Sequence, residues 1–284
     1  VRRRKIKEFI SFAVLRLAIL SILLALLLIL YFIAIRGIRV VNWHFLTRMP
    51  CEGMTMGGIL PAILGTFYLT IGAIGFALPL GVAAAIYLTE YAKQGRLIRI
   101  IRIGINNLAG VPSVVFGLFG LAVFVKFFGF GISILSGDLT LGILILPTII
   151  RASEEALLVV PQSFREASLA LGATKWQTIR KVVLPNAVSG ILTGSILGVG
   201  RAAGETAPIL FTAATFYCRK LPHSIFSEVQ ALPYHIYALM TEGTHPEYQV
   251  PIAYGTALVL VFLVLGIDLV AIVMRNRFRK GKKW

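Results

Sequence analysis

Charge is scarce in this sequence. Of its 284 residues only 14% are Asp, Glu, Lys or Arg, and acids are the scarcer sign, 12 against 28 bases. A soluble domain carries about a quarter charged residues. With 57% hydrophobic residues and a mean hydropathy of +0.86, the chain reads as a membrane protein before any motif is consulted. The excess of bases, net +16, does not point to nucleic acid, because the bases gather at the ends of apolar runs instead of forming a stripe.

Cysteine is nearly missing. Cys51 and Cys218 are the only two, which excludes a disulfide scaffold and a cysteine zinc site. Both fall on the predicted outer side, where a bridge would persist, but two unpaired thiols are the expectation. The four histidines, His44, His223, His235 and His245, have no metal-ligand spacing and read as ordinary polar surface residues. A phosphate-cradling loop is missing too: Gly198-Val199-Gly200 is followed by nothing that fits Walker A or a dinucleotide fingerprint. No nucleophile–base pair or metal cluster is legible. No catalytic residue, metal site or cofactor is therefore expected in this chain, and any ATP and Mg would be bound by another.

What is present is a series of apolar runs. A basic tail (1–10) precedes a run at 11–35, long enough to span the hydrocarbon and too long, without a small-residue cleavage site, for a cleaved signal peptide. A loop at 36–58 has no legible role. Further runs lie at 59–91, 108–128, 139–160, 186–217 and 251–274, and a basic tail closes the chain at 275–284. Between the second and third, Lys93, Arg96, Arg99 and Arg102 recur every three residues on a short amphipathic helix. Six spans put both termini on one side. Nineteen of the 28 Lys and Arg lie in the tails and in the connections 93–102 and 165–181, and Arg16 near the start of the first run makes twenty on that side, against six in the opposite connections (Arg36, Arg39, Arg48, Lys126, Arg219 and Lys220). The richer side is expected to be cytoplasmic.

The stretch 161–185 interrupts the apolar pattern. Leu169, Leu171, Trp176 and Ile179 offer apolar contacts, while Arg180 and Lys181 keep it at a water interface. Gly172 suits the end of one short helix and Pro185 the first turn of the next. On residues alone this is a surface amphipathic helix or a helix-turn-helix offered to a partner. The order Glu166-Ala167-Ser168, three residues, Gly172, then Leu184-Pro185 resembles the EAA loop of ABC importer permeases. Ser168 and Val182 depart mildly from that pattern.

Arg201 and Glu205 are the only charges in 186–217, four apart and near its middle. A charge at a helix centre costs about 2.5–3.5 kcal/mol on insertion, so the pair serves either packing or a polar passage. Gly190, Gly194 and Gly198 at a period of four suit close helix packing. Arg151, Glu154 and Glu155 have the spacing of an intrahelical ion pair, Glu90 lies beside Lys93, and Asp268 is close enough to the inner interface to be solvated.

The run Arg201-Ala202-Ala203-Gly204-Glu205-Thr206-Ala207-Pro208 resembles the signature of PstA-type permease subunits of phosphate ABC importers. Val111-Pro112-Ser113-Val114-Val115-Phe116-Gly117 and Ala152-Ser153-Glu154-Glu155-Ala156-Leu157 resemble the same family. The resemblance implies an all-α, six-helix type I importer permease, a multi-pass protein of the cell membrane with a core over 59–274. Its phosphate pathway would involve Arg201, Glu205, Thr206, Arg151 and Ser113. Glu166, Ala167, Gly172, Ala173, Thr174 and Trp176 would couple it to an ATPase. Partners implied are a second homologous permease (PstC-like), an ATPase dimer (PstB-like), an extracytoplasmic phosphate-binding protein (PstS-like), inorganic phosphate and membrane lipid, and no nucleic acid. The alternatives are a permease for molybdate or sulfate, and an ATP-independent anion channel or carrier.

Overall fold

Long apolar runs become long helices here, and proline and glycine decide where they bend. The structure is a computed structural model describing residues 2–93, 95–217 and 221–280, with side chains from 12 to 277. Helix α1 (Arg2–Gly37) leads to the short α2 (Trp43–Thr47) and a hairpin, β1 (Pro50–Cys51) paired antiparallel with β2 (Met56–Gly57). Then come α3 (Leu60–Ile86) with a π-helical end (Tyr87–Tyr91), α4 (Arg96–Ala109), and α5 (Ser113–Gly120) with a π-helical end (Leu121–Phe127). After them follow α6 (Ile134–Leu158), α7 (Gln162–Ala170), α8 (Lys175–Thr178), a π-helical turn (Ile179–Val183) and α9 (Leu184–Gly204). The chain closes with α10 (Ala207–Thr212), α11 (Leu232–Thr241) and α12 (Pro246–Lys280).

Five rods are long and apolar enough to cross a membrane: Phe12–Gly37, Leu60–Tyr91, Ile134–Leu158, Lys175–Gly204 and Pro246–Arg277. The third expected span, 108–128, is represented by Ser113–Phe127, and the amphipathic helix expected before it by Arg96–Ala109, a pair that turns through 101°. Gly110 ends α4, and Pro112 pushes Val111 out of the helical region, so the chain turns between them. Counted as one span, this pair brings the number to six.

Two further boundaries move. The fourth span starts at Ile134, inside what reads as a turn-rich loop, because the Ser133 hydroxyl accepts from the Ser136 N–H (3.2 Å) and caps it. The fifth starts at Lys175, well before 186. Pro185 does lie in the first turn of α9, as expected, but the span begins earlier: the ladder widens to a π-turn over Ile179–Val183 just ahead, absorbing the missing donor without ending the helix.

The core lies between α3, α6 and α9. Leu69, Ala73 and Ala77 pack against Leu141, Leu144, Ile145 and Ile149, with Ala202 closing the cluster. Gly190 and Gly194 lie directly on Ala156 and Ala152, and Gly198 lies on Ile149, so the glycine period is a helix-packing surface. Helix α1 packs against α12: Gly37 touches the Tyr254 carbonyl, and Arg36 Nη1 donates to Tyr254 Oη at 3.0 Å.

Segment 36–58 is a packed cap. Asn42 caps α2 by accepting from Phe45 N–H (2.9 Å), and Phe45, Met54 and Ile59 are buried. Cys51 is a free, exposed thiol, and Cys218 lies outside the described residues. His44, His223 and His245 are exposed as expected, but His235 is not: it is 3% exposed on α11, the helix that packs on α12 and α3.

Candidate functional site

Two charged places stand out, one inside the helical body and one at the end that carries both termini. The first is a helix break. Helix α9 stops at Gly204, Glu205 turns extended (φ −76°, ψ 129°), and α10 restarts at Ala207 with Pro208 in its first turn. The Arg201–Glu205 pair is therefore not mid-helix, as its spacing suggests. Arg201 lies in the last turn of α9, where the helix dipole favours a cation, and Glu205 is the residue that leaves the helix. Arg201 Nε still donates to Glu205 Oε1 at 3.3 Å, with the side chains 35% and 19% exposed.

Around the break small residues are mixed with Leu69, Leu141 and Ile209. A void of about 10 Å³, room for about one water, is lined by Thr66, Ala202, Ala203, Glu205, Ala231 and Pro233 among others. Thr206 is half-buried at the break itself. Helix α5 runs parallel to α10, with Gly117 against Ala207 and Pro208 and Gly120 against Thr212. Ser113, half-buried one turn before Gly117, extends that contact towards the break. Arg201, Glu205 and Thr206 thus share one region, and Ser113 lies on the helix packed beside α10.

Arg151 does not join them. Pairing of Gly190 with Ala156 and of Gly194 with Ala152 makes α6 and α9 antiparallel, which puts Arg151 nearer the terminal-bearing end. It is exposed and has no ion pair among the described residues. The expected intrahelical pair is replaced by a tertiary one: Glu154 Oε1 meets Arg102 Nη2 of α4 at 3.3 Å, and the same Nη2 donates to the Leu88 carbonyl at 3.3 Å. Glu155 is exposed. Asp268 is half-buried: its Oδ1 is buried without a hydrogen-bond partner, and its Oδ2 faces Gly200.

The second place is the hairpin of α7 and α8. Gly172 takes φ +82°, its N–H donates to the Leu169 carbonyl (3.0 Å), and the Ala173 N–H donates to Ser168 (3.2 Å). These are the paired bonds of a Schellman turn, which a Cβ at Gly172 would strain. The next helix begins at once with a reciprocal cap: Gln177 N–H donates to Thr174 Oγ1 (3.3 Å), and Thr174 N–H donates to Gln177 Oε1 (2.8 Å). A Ser168–Thr178 hydroxyl contact of 2.9 Å ties the two arms together.

The hairpin leaves apolar side chains in the open: Leu171 is 90% exposed, Trp176 53% and Leu169 49%. Of the apolar set expected here only Ile179 is buried. Glu166 and Ala167 are exposed on α7. A cleft of about 510 Å³, lined by Thr89, Glu90, Pro161, Gln162, Leu169 and Lys175 among others, separates hairpin from body. Arg165 crosses its floor. Its Nη2 and Nε reach Glu90 Oε1 at 2.8 and 3.1 Å, and it donates to the carbonyls of Val160 (2.6 Å) and Leu157 (2.9 Å). Glu90 thus pairs with Arg165, not with its neighbour Lys93. Sequence reading passed over Arg165, because its partner lies 75 residues away.

The comparisons with known proteins agree with this geometry. The chain is 36% identical over 273 residues to the phosphate transport system permease protein PstA of Mycobacterium leprae, covering 94% of this chain and 88% of that one. It is 35% identical over 251 residues to the probable ABC transporter permease protein YqgI of Bacillus subtilis, covering 84% and 85%. A subunit in the crystal structure of a bacterial ABC transporter involved in the import of the acidic polysaccharide alginate superposes with a TM-score of 0.65 at 17% identity, over 96% of this chain and 99% of that one. That likeness shows the fold, the type I ABC importer permease. With residues 77–283 matching the family model, the chain belongs to the binding-protein-dependent transport system inner membrane components, as a multi-pass permease subunit.

Proposed function

We propose that this chain is one of two permease subunits of an ATP-driven inorganic phosphate importer. Its 36% identity to PstA over 94% of its length carries the reading. The charge pattern supports an orientation with both termini and the α7–α8 hairpin in the cytoplasm. The exposed Leu169, Leu171 and Trp176 are then the surface a separate ATPase grips, and the chain itself carries out no catalysis. ATP and Mg belong to that partner, and a phosphate-binding protein delivers substrate at the opposite face.

The chemistry of the helix break fits the cargo. A phosphate anion crossing a low-dielectric region needs positive charge, and a planar guanidinium matches its oxygens. A permease must also let go, and binding too tight would stall release. Glu205 on the Arg201 Nε competes with the anion for the same group. Half-exposed Arg201 would meet phosphate, Thr206 and Ser113 would offer hydroxyls, and Glu205 would reclaim the guanidinium as the anion leaves. Exposed Arg151 is a second cation on the way to the terminal-bearing end. ATP binding shifts the population only through its different affinity for the two states.

Reconstitution tests this reading. The intact complex in lipid vesicles should hydrolyse ATP faster when phosphate and its binding protein are present. Molybdate or sulfate should not replace phosphate. Preferential stimulation by one of those oxyanions would reassign the cargo. Anion flux through this chain alone, without nucleotide or companion subunits, would refute the importer reading.

A further inference from the structure

Helix α4 is divided into three sectors. Ile98 and Ile105 face inward, against Leu88, Ile150 and Leu146. Leu97, Ile101 and Leu108 form an exposed apolar sector, 37–70% accessible, with Ile100 at its edge, while Ile103, also exposed, lies among the arginines. Arg96, Arg99, Arg102 and Asn106 make the third sector, opposite Leu97 and Ile101 at helical spacing. No acidic residue occurs among the 14 of this helix. Arg96 and Arg99 are exposed and have no ion pair among the described residues, whereas Arg102 is committed to Glu154 and the Leu88 carbonyl. The basic sector lines a cleft of about 520 Å³ formed by Gly95, Arg96, Arg99, Arg102, Ile103 and Asn106.

Placement gives these sectors a meaning. Helix α4 turns 101° from the segment that follows it, so it lies across the direction of the spans. Its contacts with Leu88, Ile150 and Glu154 set it at the terminal-bearing ends of α3 and α6. A helix in that position with one face of Leu and Ile and an opposite face of Arg has the form of an interfacial membrane helix. Two unpaired guanidiniums over an acid-free surface complement phosphoryl groups, which guanidinium binds in bidentate fashion.

We propose that α4 is an anionic-lipid site: its apolar sector enters the acyl region, and the Arg96–Arg99 cleft holds the phosphoryl headgroups of acidic phospholipids. The bound lipid fixes α4, and through Arg102 it steadies Glu154 and the end of α6, one short connection before α7. This inference goes beyond the transport reading and does not depend on which anion is carried.

The test uses the assembled transporter in phosphatidylcholine vesicles with or without phosphatidylglycerol. Lipid retained after detergent extraction is counted by native mass spectrometry, and thermal midpoints are read alongside. Wild type should retain phosphatidylglycerol over phosphatidylcholine and melt higher in its presence. Replacing both arginines (Arg96→Gln with Arg99→Gln) should weaken phosphatidylglycerol retention about thirtyfold, the loss expected from two surface cations. A charge-matched control, Arg39→Gln with Arg48→Gln, should leave retention intact.

Unchanged retention in the first variant, or equal loss in both, would overturn the site. So would a midpoint rise produced by inorganic phosphate alone in phosphatidylcholine vesicles and abolished by the first variant, which would make this a free-anion site. Loss of the ATPase subunits from that variant with lipid retained would assign the face to a protein contact and also overturn the proposal.

Discussion

Arg165 and Glu90 tie the α7–α8 hairpin to the body of the protein, with 2.8 Å between Nη2 and Oε1 and side chains only 13% and 9% exposed. The same guanidinium satisfies two carbonyls at the end of α6. Helix α7 is thereby fastened to the ends of two spans at once. Removing one partner of a buried pair costs about 3–5 kcal/mol, because the other charge stays buried alone. Arg165→Met should lower the melting midpoint of the detergent-solubilised complex and release the ATPase. Arg165→Lys should rescue only in part, since an ammonium cannot reach Glu90 and two carbonyls in one plane. If Arg165→Met with Glu90→Leu is closer to wild type than Arg165→Met alone, the pair is confirmed as a coupled unit.

Arg201 and Glu205 should separate by direction. A hydrogen bond to a charged group contributes about 1.5–3 kcal/mol, so Arg201→Gln should reduce phosphate uptake about ten- to a hundredfold with the complex still assembled. Glu205→Gln should leave phosphate held longer and slow turnover at saturating phosphate more than it weakens apparent affinity. Uptake by vesicles over a range of phosphate concentrations distinguishes the two. Normal uptake by Arg201→Gln would remove it from the pathway.

Glycine substitutions on α9 should sort by neighbour. A methyl group at Gly194 or Gly190 overlaps Ala152 or Ala156, whereas at Gly200 the nearest atom is 3.7 Å away. Overpacking costs about 1–3 kcal/mol. Gly190→Ala and Gly194→Ala should each lower the melting midpoint, and Gly200→Ala should not. Equal effects at all three would mean that backbone propensity decides, not the α6–α9 contact.

His235 supplies a pH dependence. It is 3% exposed, Nδ1 has no hydrogen-bond partner, and burial pushes its pKa down from 6.5 to about 4. The unfolded chain therefore takes up this proton before the folded one does. Stability from the neutral imidazole is complete above pH 6.5 and falls as pH drops towards 4, by about 3 kcal/mol in all. Thermal midpoints of His235→Gln should be flatter across that window than those of wild type. An identical pH slope in both would place the titrating group elsewhere.

The helical class, most spans and the Gly172 turn were legible because each rests on local rules: apolar run length, glycine at a helix end, small residues at a period of four. Thr174 and Gln177 carry a capping-box spacing too, and the structure closes it. Pairing was less legible. Arg151 beside Glu154 and Lys93 beside Glu90 are good local pairs, yet Arg102 and Arg165 take both acids, because the tertiary fold brings those arginines to buried carboxylates. The break at Glu205 has a local signal, Gly204 with Pro208 shortly beyond, but the unbroken apolar length of 186–217 outweighs it in a reading of the sequence. His235 looks like any polar residue between Tyr234 and Ile236; only the packing of α11 on α12 and α3 removes it from water.

From Lys175 to Gly204 the polypeptide is a single rod of 30 residues, about 45 Å at 1.5 Å per residue. The apolar surface beside Trp176 and the guanidinium of Arg201 are therefore near opposite ends of one helical run, and the π-turn at Ile179–Val183 ahead of Pro185 is the irregular step between them. If the run moves as one body, a push at the Trp176 end is felt at Arg201, and the backbone leaves the helix just beyond, at the extended Glu205.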